Sequence, residues 1–125
     1  MPTTVLVVDD AAFMRFMLKK EVTQLGYSVI GEAGDGEEAC RLFDELEPDV
    51  VTLDLVMPKK GGMDTLRDIR AKHPDARIVI VSAVEQRTAI MDAIKHGAVD
   101  YIVKPFKADQ LQCVLERVSK KTGAL

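Results

Sequence analysis

The feature that most constrains the fold is a regular alternation of short β-branched runs with segments of helical period. The apolar runs cover Thr4 to Asp9, Tyr27 to Ala33, Asp49 to Asp54, Arg77 to Ser82 and Asp100 to Lys104. The helical segments cover Ala12 to Leu25, Gly36 to Leu46, Gly62 to Lys72, Gln86 to His96 and Ala108 to Lys120. Because a strand buried on both faces has a continuous apolar run, this alternation predicts an α/β domain with a parallel sheet covered on both faces.

Turn and cap residues agree with these boundaries. Gly26 and Gly97 each follow a helical segment, where a left-handed backbone ends a helix and glycine adopts it without steric cost. Asp35, with Glu38 three residues later, forms a capping-box pattern at the start of the second helix. The fifth helix carries one apolar stripe that is predicted to pack on the sheet, made of Leu111, Val114, Leu115 and Val118.

Composition excludes several classes of protein. A chain of 125 residues with 47% apolar side chains has the size of one compact domain. The net charge of -3, from 17 basic and 20 acidic residues, provides no broad basic patch, so nucleic acid is not an expected partner. Cys40 and Cys113 lie far apart in helical segments, so we expect reduced thiols in a cytoplasmic protein. No apolar run is long enough to span a membrane and no export signal is present, so no membrane association is expected.

Charged side chains stand at the ends of three predicted strands. Asp9 and Asp10 end the first, Asp54 ends the third and Lys104 ends the fifth. Because the carboxyl ends of parallel strands meet at one edge of a sheet, these side chains are predicted to converge in one crevice. An Asp-Asp pair taken alone would more simply cap a helix. Together with Asp54, however, the pair offers the oxygen ligands that Mg²⁺ prefers, and Lys104 beside buried residues needs an anionic partner.

Four motifs follow one another along the chain. They are Val7-Val8-Asp9-Asp10, Leu53-Asp54 with Met57-Pro58 and Gly62, Val81-Ser82-Ala83, and Lys104-Pro105-Phe106. On these motifs the chain resembles the receiver domain of response regulators over essentially its whole length. The run from Asp10 to Arg15 is similar to that of the stand-alone receivers of chemotaxis. The resemblance implies a flavodoxin-like, doubly wound sheet of five parallel strands in the order 2-1-3-4-5 with five helices, and a single receiver domain over residues 1–125 with no output domain.

The resemblance also implies the roles of the acidic residues. Asp54 would be the phosphoacceptor, since a carboxylate attacks phosphorus once the charge of the phosphoryl group is neutralised. Asp54, Asp10 and the backbone carbonyl of Val56 would ligate Mg²⁺, and Asp9 would hold the ion directly or through water. Lys104 would contact a phosphoryl oxygen and the Asp54 carboxylate, and its peptide bond to Pro105 would be cis.

Two residues are implied to act as a switch. Ser82 would donate its hydroxyl to a phosphoryl oxygen, although taken alone it could be a turn serine. Tyr101 taken alone would more simply be a core aromatic, but by resemblance it turns inward when Ser82 moves toward the phosphate. The surface altered in this way would cover the fourth helix, the fifth strand and the fifth helix, near Lys95, Tyr101 and Lys107.

Two positions depart from the usual pattern of the chemotaxis branch. Val56 and Val84 are apolar where polar side chains are common, and neither can orient an attacking water. We therefore expect slow self-dephosphorylation, with no enzymatic activity beyond self-phosphorylation and self-dephosphorylation. A long-lived signal of this kind would suit a slow output or a dedicated phosphatase.

The expected partners are proteins. His73 and His96 lie outside a phosphotransfer context, so a separate histidine kinase must donate the phosphoryl group. The flagellar motor switch protein is the output partner that the resemblance suggests first, and a phosphorelay or another protein target is the alternative. We expect a monomer.

Three other functions share part of the pattern. A haloacid dehalogenase-type phosphotransferase also uses an aspartate nucleophile and Mg²⁺, but Val56 stands where that class has its second aspartate, the general acid. A flavodoxin-like FMN carrier needs glycines or hydroxyls in the first loop, where this chain has Asp9 and Asp10. A scaffold that has lost signalling would not need the complete set of reactive residues.

Overall fold

The computed structural model describes residues 3–120 and contains ten alternating elements. The strands are β1 (Thr4–Val8), β2 (Ser28–Ala33), β3 (Val50–Leu53), β4 (Ile78–Ser82) and β5 (Asp100–Val103). The helices are α1 (Ala12–Gln24), α2 (Gly36–Leu46), α3 (Gly62–Lys72), α4 (Arg87–Lys95) and α5 (Ala108–Lys120). The predicted alternation of five strands with five helices is therefore confirmed.

The five strands form one parallel sheet in the order β2-β1-β3-β4-β5. This is the doubly wound order that the resemblance implied. Several strands are shorter than predicted, because Asp9, Asp54 and Lys104 fall just beyond their carboxyl ends and not within them. Tyr27 also lies outside β2, since its backbone N–H donates to the Val22 carbonyl and so helps to end α1.

Each face of the sheet has its own apolar core. On one face, Val5, Val7, Val79 and Val81 pack with α1 and α5, and the predicted stripe of α5 is buried there. On the other face, alternate strand residues pack with α2, α3 and α4; these strand residues are Leu6, Val8, Val51, Leu53, Ile78 and Ile80. Because neighbouring strand side chains point to opposite faces, a run without polar residues is what burial on both faces requires.

The helix ends follow the sequence signals closely. Gly26 and Gly97 have φ angles of 97° and 111°, in the left-handed region. Asp35 accepts a hydrogen bond from the Glu38 backbone N–H at 2.9 Å. The reciprocal bond of the capping box is displaced by one residue, because the Glu38 carboxylate accepts from Gly34 N–H at 3.1 Å and not from Asp35. Within residues 3–120, no helix is long and apolar enough to cross a membrane.

Candidate functional site

Three carboxylates meet at the carboxyl ends of β1 and β3. One oxygen each of Asp9, Asp10 and Asp54 lies within 4.8 Å of the others. Asp9 and Asp54 are buried, with 1% and 7% of their surfaces exposed, whereas Asp10 is exposed. The central position of β1 and β3 in the sheet brings these loops together. The convergence predicted from the strand ends is thus present in the structure.

Lys104 supplies the cation of the site. Its Nζ lies 2.7 Å from Asp9 Oδ2 and 3.1 Å from Asp54 Oδ2, so one ammonium bridges both buried carboxylates. Burial opposes the charge of Lys104, but its hydrogen bond to Asp9 and the charge of Asp54 outweigh burial and raise its pKa above the ordinary value. The Lys104–Pro105 peptide bond is cis, as the resemblance implied.

Asp9 and Asp10 differ in how they are held. Asp9 donates its backbone N–H to the Ala33 carbonyl, and its Oδ1 accepts from Ala11 N–H at 2.9 Å while Oδ2 faces Lys104. The Asp10 carboxylate has no hydrogen bond or ion pair to any residue between 3 and 120. Asp9 is therefore a fixed part of the loop, and Asp10 is free to ligate a cation.

The loop after β3 fixes Asp54. The Val56 backbone N–H donates to Asp54 Oδ1 at 3.2 Å, and the Gly62 N–H donates to the Leu55 carbonyl at 2.9 Å. A β-carbon on Gly62 would stand 2.2 Å from the Asp54 carbonyl oxygen, so only glycine allows α3 to approach the loop this closely. The Val56 side chain points outward and is 62% exposed.

Ser82 and Tyr101 are joined through Val84. Ser82 is fully buried, and its Oγ accepts from the Val84 backbone N–H at 3.3 Å. The Tyr101 hydroxyl donates to the Val84 carbonyl at 2.5 Å, and its ring packs inward against the core on the α2, α3 and α4 face. Burial raises the pKa of Tyr101 above its ordinary value; the nearby Ser82 hydroxyl opposes this rise, and the charge of Asp54 adds to it.

One contact at the site was not predicted from the sequence. Arg15, on the first turns of α1, donates to the Asp9 backbone carbonyl at 2.7 Å and to Glu32 Oε1 on β2 at 2.8 Å. Lys19 also reaches Glu32, at 2.5 Å, and these two cations lower the pKa of Glu32, Lys19 more than Arg15. Helical side chains lean toward the amino end of their helix, and this tendency could have pointed to Arg15.

One other concave surface carries charged side chains that pair with one another. A cavity of about 420 Å³ lies between α2 and α3, lined by Cys40, Asp44, Lys60, Asp68, Ile69, Ala71 and Lys72. In it Lys60 pairs with Asp68, and Lys72 pairs with Asp44 at 2.6 Å. His73 bonds Asp44 at 2.8 Å, and its ring contacts that of Phe43 at a tilt of 49°, while His96 bonds the Asp92 carbonyl at the end of α4. These charges are paired locally, so the crevice at Asp54 is the better candidate for chemistry.

The residues at the crevice fit a magnesium ion. All three side chains offer carboxylate oxygens, which Mg²⁺ prefers, and one of the three, Asp10, is exposed and has no partner among the described residues. The exposed side of the cluster leaves room for water and a phosphoryl group, as Mg²⁺ sites in proteins commonly do. Lys104 neutralises part of the acidic charge through Asp9 and Asp54, and the Asp10 side of the cluster stays exposed.

A doubly wound sheet with this acidic crevice and lysine is the arrangement of a response regulator receiver domain. The chain belongs to this family, since the family model described as "Response regulator receiver domain" matches residues 5–116. The family consists of signalling domains and not of classical enzymes.

Two sequence relatives and one solved structure show which receiver proteins this chain is similar to. The chain is 48% identical to the chemotaxis protein CheY of Thermotoga maritima over 116 residues, which cover 93% of this chain and 97% of the relative. It is 45% identical to protein CcdB of Bacillus subtilis over 121 residues, 97% of this chain and 98% of the relative. Its structure is similar to CheY in the CheX-CheY-BeF3-Mg complex of Borrelia burgdorferi, with a TM-score of 0.90, 34% identity and coverage of 100% of this chain and 92% of that one.

Proposed function

We propose that this receiver accepts a phosphoryl group on Asp54 from the phosphohistidine of a separate kinase and transmits the signal by binding another protein. The observation that carries the proposal is the joining of Asp54, Asp9 and Asp10 in one cluster with the Lys104 ammonium 3.1 Å from Asp54. A carboxylate next to both a fixed cation and a free metal ligand is arranged to meet a phosphoryl group.

The transfer step forms one bond and breaks one. An Asp54 carboxylate oxygen attacks phosphorus and forms an O–P bond, while the N–P bond of the donor breaks and the imidazole nitrogen keeps the electron pair and takes a proton from solvent. Lys104 holds Asp54 and then meets a phosphoryl oxygen. Ser82, buried at the end of β4, would donate its hydroxyl to another phosphoryl oxygen.

The acidic residues would hold the cofactor of this step. Asp10, Asp54 and the Val56 backbone carbonyl would ligate Mg²⁺, and Asp9 would support it directly or through water. When bound, the ion neutralises charge on the phosphoryl group. Asp10 can bind without first breaking a contact to another described residue, since its carboxylate has no partner within residues 3–120.

The switch would run through Val84. Movement of the Ser82 hydroxyl toward a phosphoryl oxygen would release its bond from the Val84 N–H, and the Val84 carbonyl holds the Tyr101 hydroxyl. The populations of Tyr101 conformers would shift in response. The affected surface comprises α4, β5 and α5, with Lys95 and Lys107 exposed on it.

Chemotaxis is the output that the relatives favour. Similarity to the chemotaxis protein CheY of Thermotoga maritima supports an output in chemotaxis, with the flagellar motor switch protein as the partner that we propose. The Borrelia burgdorferi relative forms a complex with CheX, which supports a protein partner for the signalling step. A phosphorelay or another protein target is the alternative, since a relative of similar identity, CcdB, is not named as a chemotaxis protein. The protein would act in the cytoplasm as a monomeric single receiver.

Loss of the phosphoryl group is proposed to be slow. Val56 and Val84 flank Asp54 and Ser82 with apolar side chains that cannot orient water. Val56→Asn should therefore speed decay of the phosphorylated protein by about tenfold, which is less than the roughly 10²–10⁴-fold of a general acid or base, because an amide orients water without taking its proton. Decay can be followed by loss of the phosphoryl mass, with the equally exposed Met91→Gln as control. An unchanged or slower rate in Val56→Asn would reject the idea.

The primary test is intact-mass measurement after incubation with acetyl phosphate and Mg²⁺. One phosphoryl adduct is expected, absent in Asp54→Asn and with a chelator, and retained in Asp75→Asn, which changes an exposed loop aspartate. No adduct under any of these conditions would favour the scaffold. Continuous turnover of a small phosphate ester would favour the haloacid dehalogenase-type enzyme.

A further inference from the structure

Arg15 ties together three parts of the molecule at the acidic crevice. Its side chain starts on α1, its Nε donates to Glu32 Oε1 on β2 at 2.8 Å, and an Nη donates to the Asp9 backbone carbonyl at 2.7 Å. The side chain is only 21% exposed. A planar guanidinium can serve two acceptors at fixed angles, which a lysine ammonium on a flexible stem does not do equally well.

The hydrogen bond from Arg15 to the Asp9 carbonyl acts on the backbone that carries Asp10. The Asp9 backbone carbonyl belongs to the peptide unit that leads directly into Asp10, and the Asp10 side chain has no contact of its own within residues 3–120. The backbone therefore sets the point from which the Asp10 side chain extends, and with it the region that its carboxylate can reach. Of the hydrogen bonds to Asp9, that from Arg15 is the one made to this peptide unit.

Two effects of Arg15 on a cation oppose one another. Its positive charge repels a cation, so by charge alone its removal should tighten metal binding, the more so because Glu32 would lose a counterion. Its hydrogen bond to the Asp9 carbonyl holds the loop in place, so the loss of that bond should weaken metal binding. The signs differ, and the dominant effect can therefore be read from one measurement.

We propose that Arg15 is a positioning residue for the cation site, acting through the Asp9 carbonyl to hold Asp10 in place, with Glu32 orienting the guanidinium. The inference deepens the proposed function and rests on the crevice binding a divalent cation. It assigns to the first turns of α1 a part in metal affinity that lies outside the four motifs.

The test is direct binding of Mn²⁺, read from the signal of the free ion by electron paramagnetic resonance at constant ionic strength, with Mg²⁺ added as competitor. Arg15→Gln should weaken binding by about tenfold, as is usual when a group that orients a metal ligand is lost. Arg15→Lys keeps the charge and should still weaken binding, by a smaller factor. Because the charge is kept, any weakening in Arg15→Lys comes from the altered hydrogen bonds of the side chain, and this can be measured even if Arg15→Gln folds poorly.

Lys19→Gln is the matched control. It removes the same unit charge from the same partner, Glu32, but Lys19 does not touch the Asp9 carbonyl. Its Mn²⁺ affinity should stay within about threefold of the parent, or tighten, because exposed ion pairs contribute little. Thermal unfolding in chelator establishes that each variant is folded before the titration.

The outcomes separate the two proposals. Binding by Arg15→Gln and Arg15→Lys that is as tight as the parent's, or tighter, would overturn the role of Arg15 and leave the proposed function intact. Equal weakening in Lys19→Gln would also overturn it, because loss of an ion pair at Glu32, with no change at the Asp9 carbonyl, would then be enough to explain the effect. A parent that takes up neither Mn²⁺ nor Mg²⁺ would overturn the metal-dependent function and this inference with it.

Discussion

Replacement of Lys104 by methionine should destabilise the protein strongly in the absence of metal. Removing one partner of a buried ion pair costs about 3–5 kcal/mol, because the remaining charge is left buried without compensation. Here Lys104 serves both Asp9, which is 1% exposed, and Asp54, which is 7% exposed. Its own side chain is 14% exposed, so water reaches part of the site and the lower end of the range, about 3 kcal/mol, applies.

Urea unfolding followed by circular dichroism at pH 7 in chelator measures this loss. The corresponding fall in melting temperature is roughly 12 °C for a domain of this size. Lys20→Met is the control, since Lys20 is exposed on α1 and forms no ion pair with residues 3–120; it should change the free energy of unfolding by less than about 0.5 kcal/mol.

A loss below about 1 kcal/mol in Lys104→Met would refute the reasoning, because it would equal that of an exposed ion pair. Added Mg²⁺ should reduce the difference between variant and parent, since a bound cation replaces part of the missing charge. A difference that does not respond to Mg²⁺ would mean that packing of the lysine stem, and not its charge, explains the loss.

Three further predictions concern stability and are best measured by denaturant unfolding. Thr52→Val should raise the free energy of unfolding by about 1 kcal/mol, because the fully buried Thr52 hydroxyl has no partner among the described residues. A lower denaturant midpoint for the variant would mean that the hydroxyl forms a hydrogen bond in the folded protein. Gly62→Ala should lower the free energy of unfolding by about 2 kcal/mol and slow phosphoryl uptake, because the added carbon would stand 2.2 Å from the Asp54 carbonyl oxygen. Unchanged stability and uptake would show that the loop moves to make room for the added carbon. Between about pH 7 and about pH 10 the difference in stability between parent and Lys104→Met should be constant, and above pH 10 it should shrink. A raised lysine pKa stabilises the fold below the ordinary value of about 10.4, and that contribution is lost as pH rises through the folded value. A difference that grows above pH 10 would contradict this sign.

Much of the fold could be predicted because its signals are local. A β-branched run, a helical stripe or a glycine after a helix depends on residues a few positions apart, so α2, α3 and α5 begin and end where predicted. The strand ends were less accurate, since Asp9 and Asp54 fall just beyond β1 and β3, although their backbone N–H groups still donate to the Ala33 and Val8 carbonyls. The strand order came from the family resemblance, because strand pattern alone allows several parallel orders.

The site was predictable only in part. Asp9, Asp54 and Lys104 could be named because a charged residue directly after a buried run stands out. Arg15 was not named, because the lean of its side chain toward the start of α1 indicates a direction but no acceptor, and the Asp9 carbonyl is identified only in the fold. Thr52 was not named either, because no nearby residue shows that its hydroxyl lacks a partner among the described residues.

By itself, the sequence determined the α/β class, the placement of charged residues at strand ends and the ligand chemistry of the crevice. Each of these follows from periodicity and residue type, which act over a few positions of the chain. Tertiary structure alone decided which groups meet: Lys104 bridges two carboxylates that stand 95 and 50 positions earlier, and Tyr101 bonds the Val84 carbonyl. The physical reason is that such contacts depend on the order of strands in the sheet and on how each helix approaches it, and these are set only when the whole core packs together.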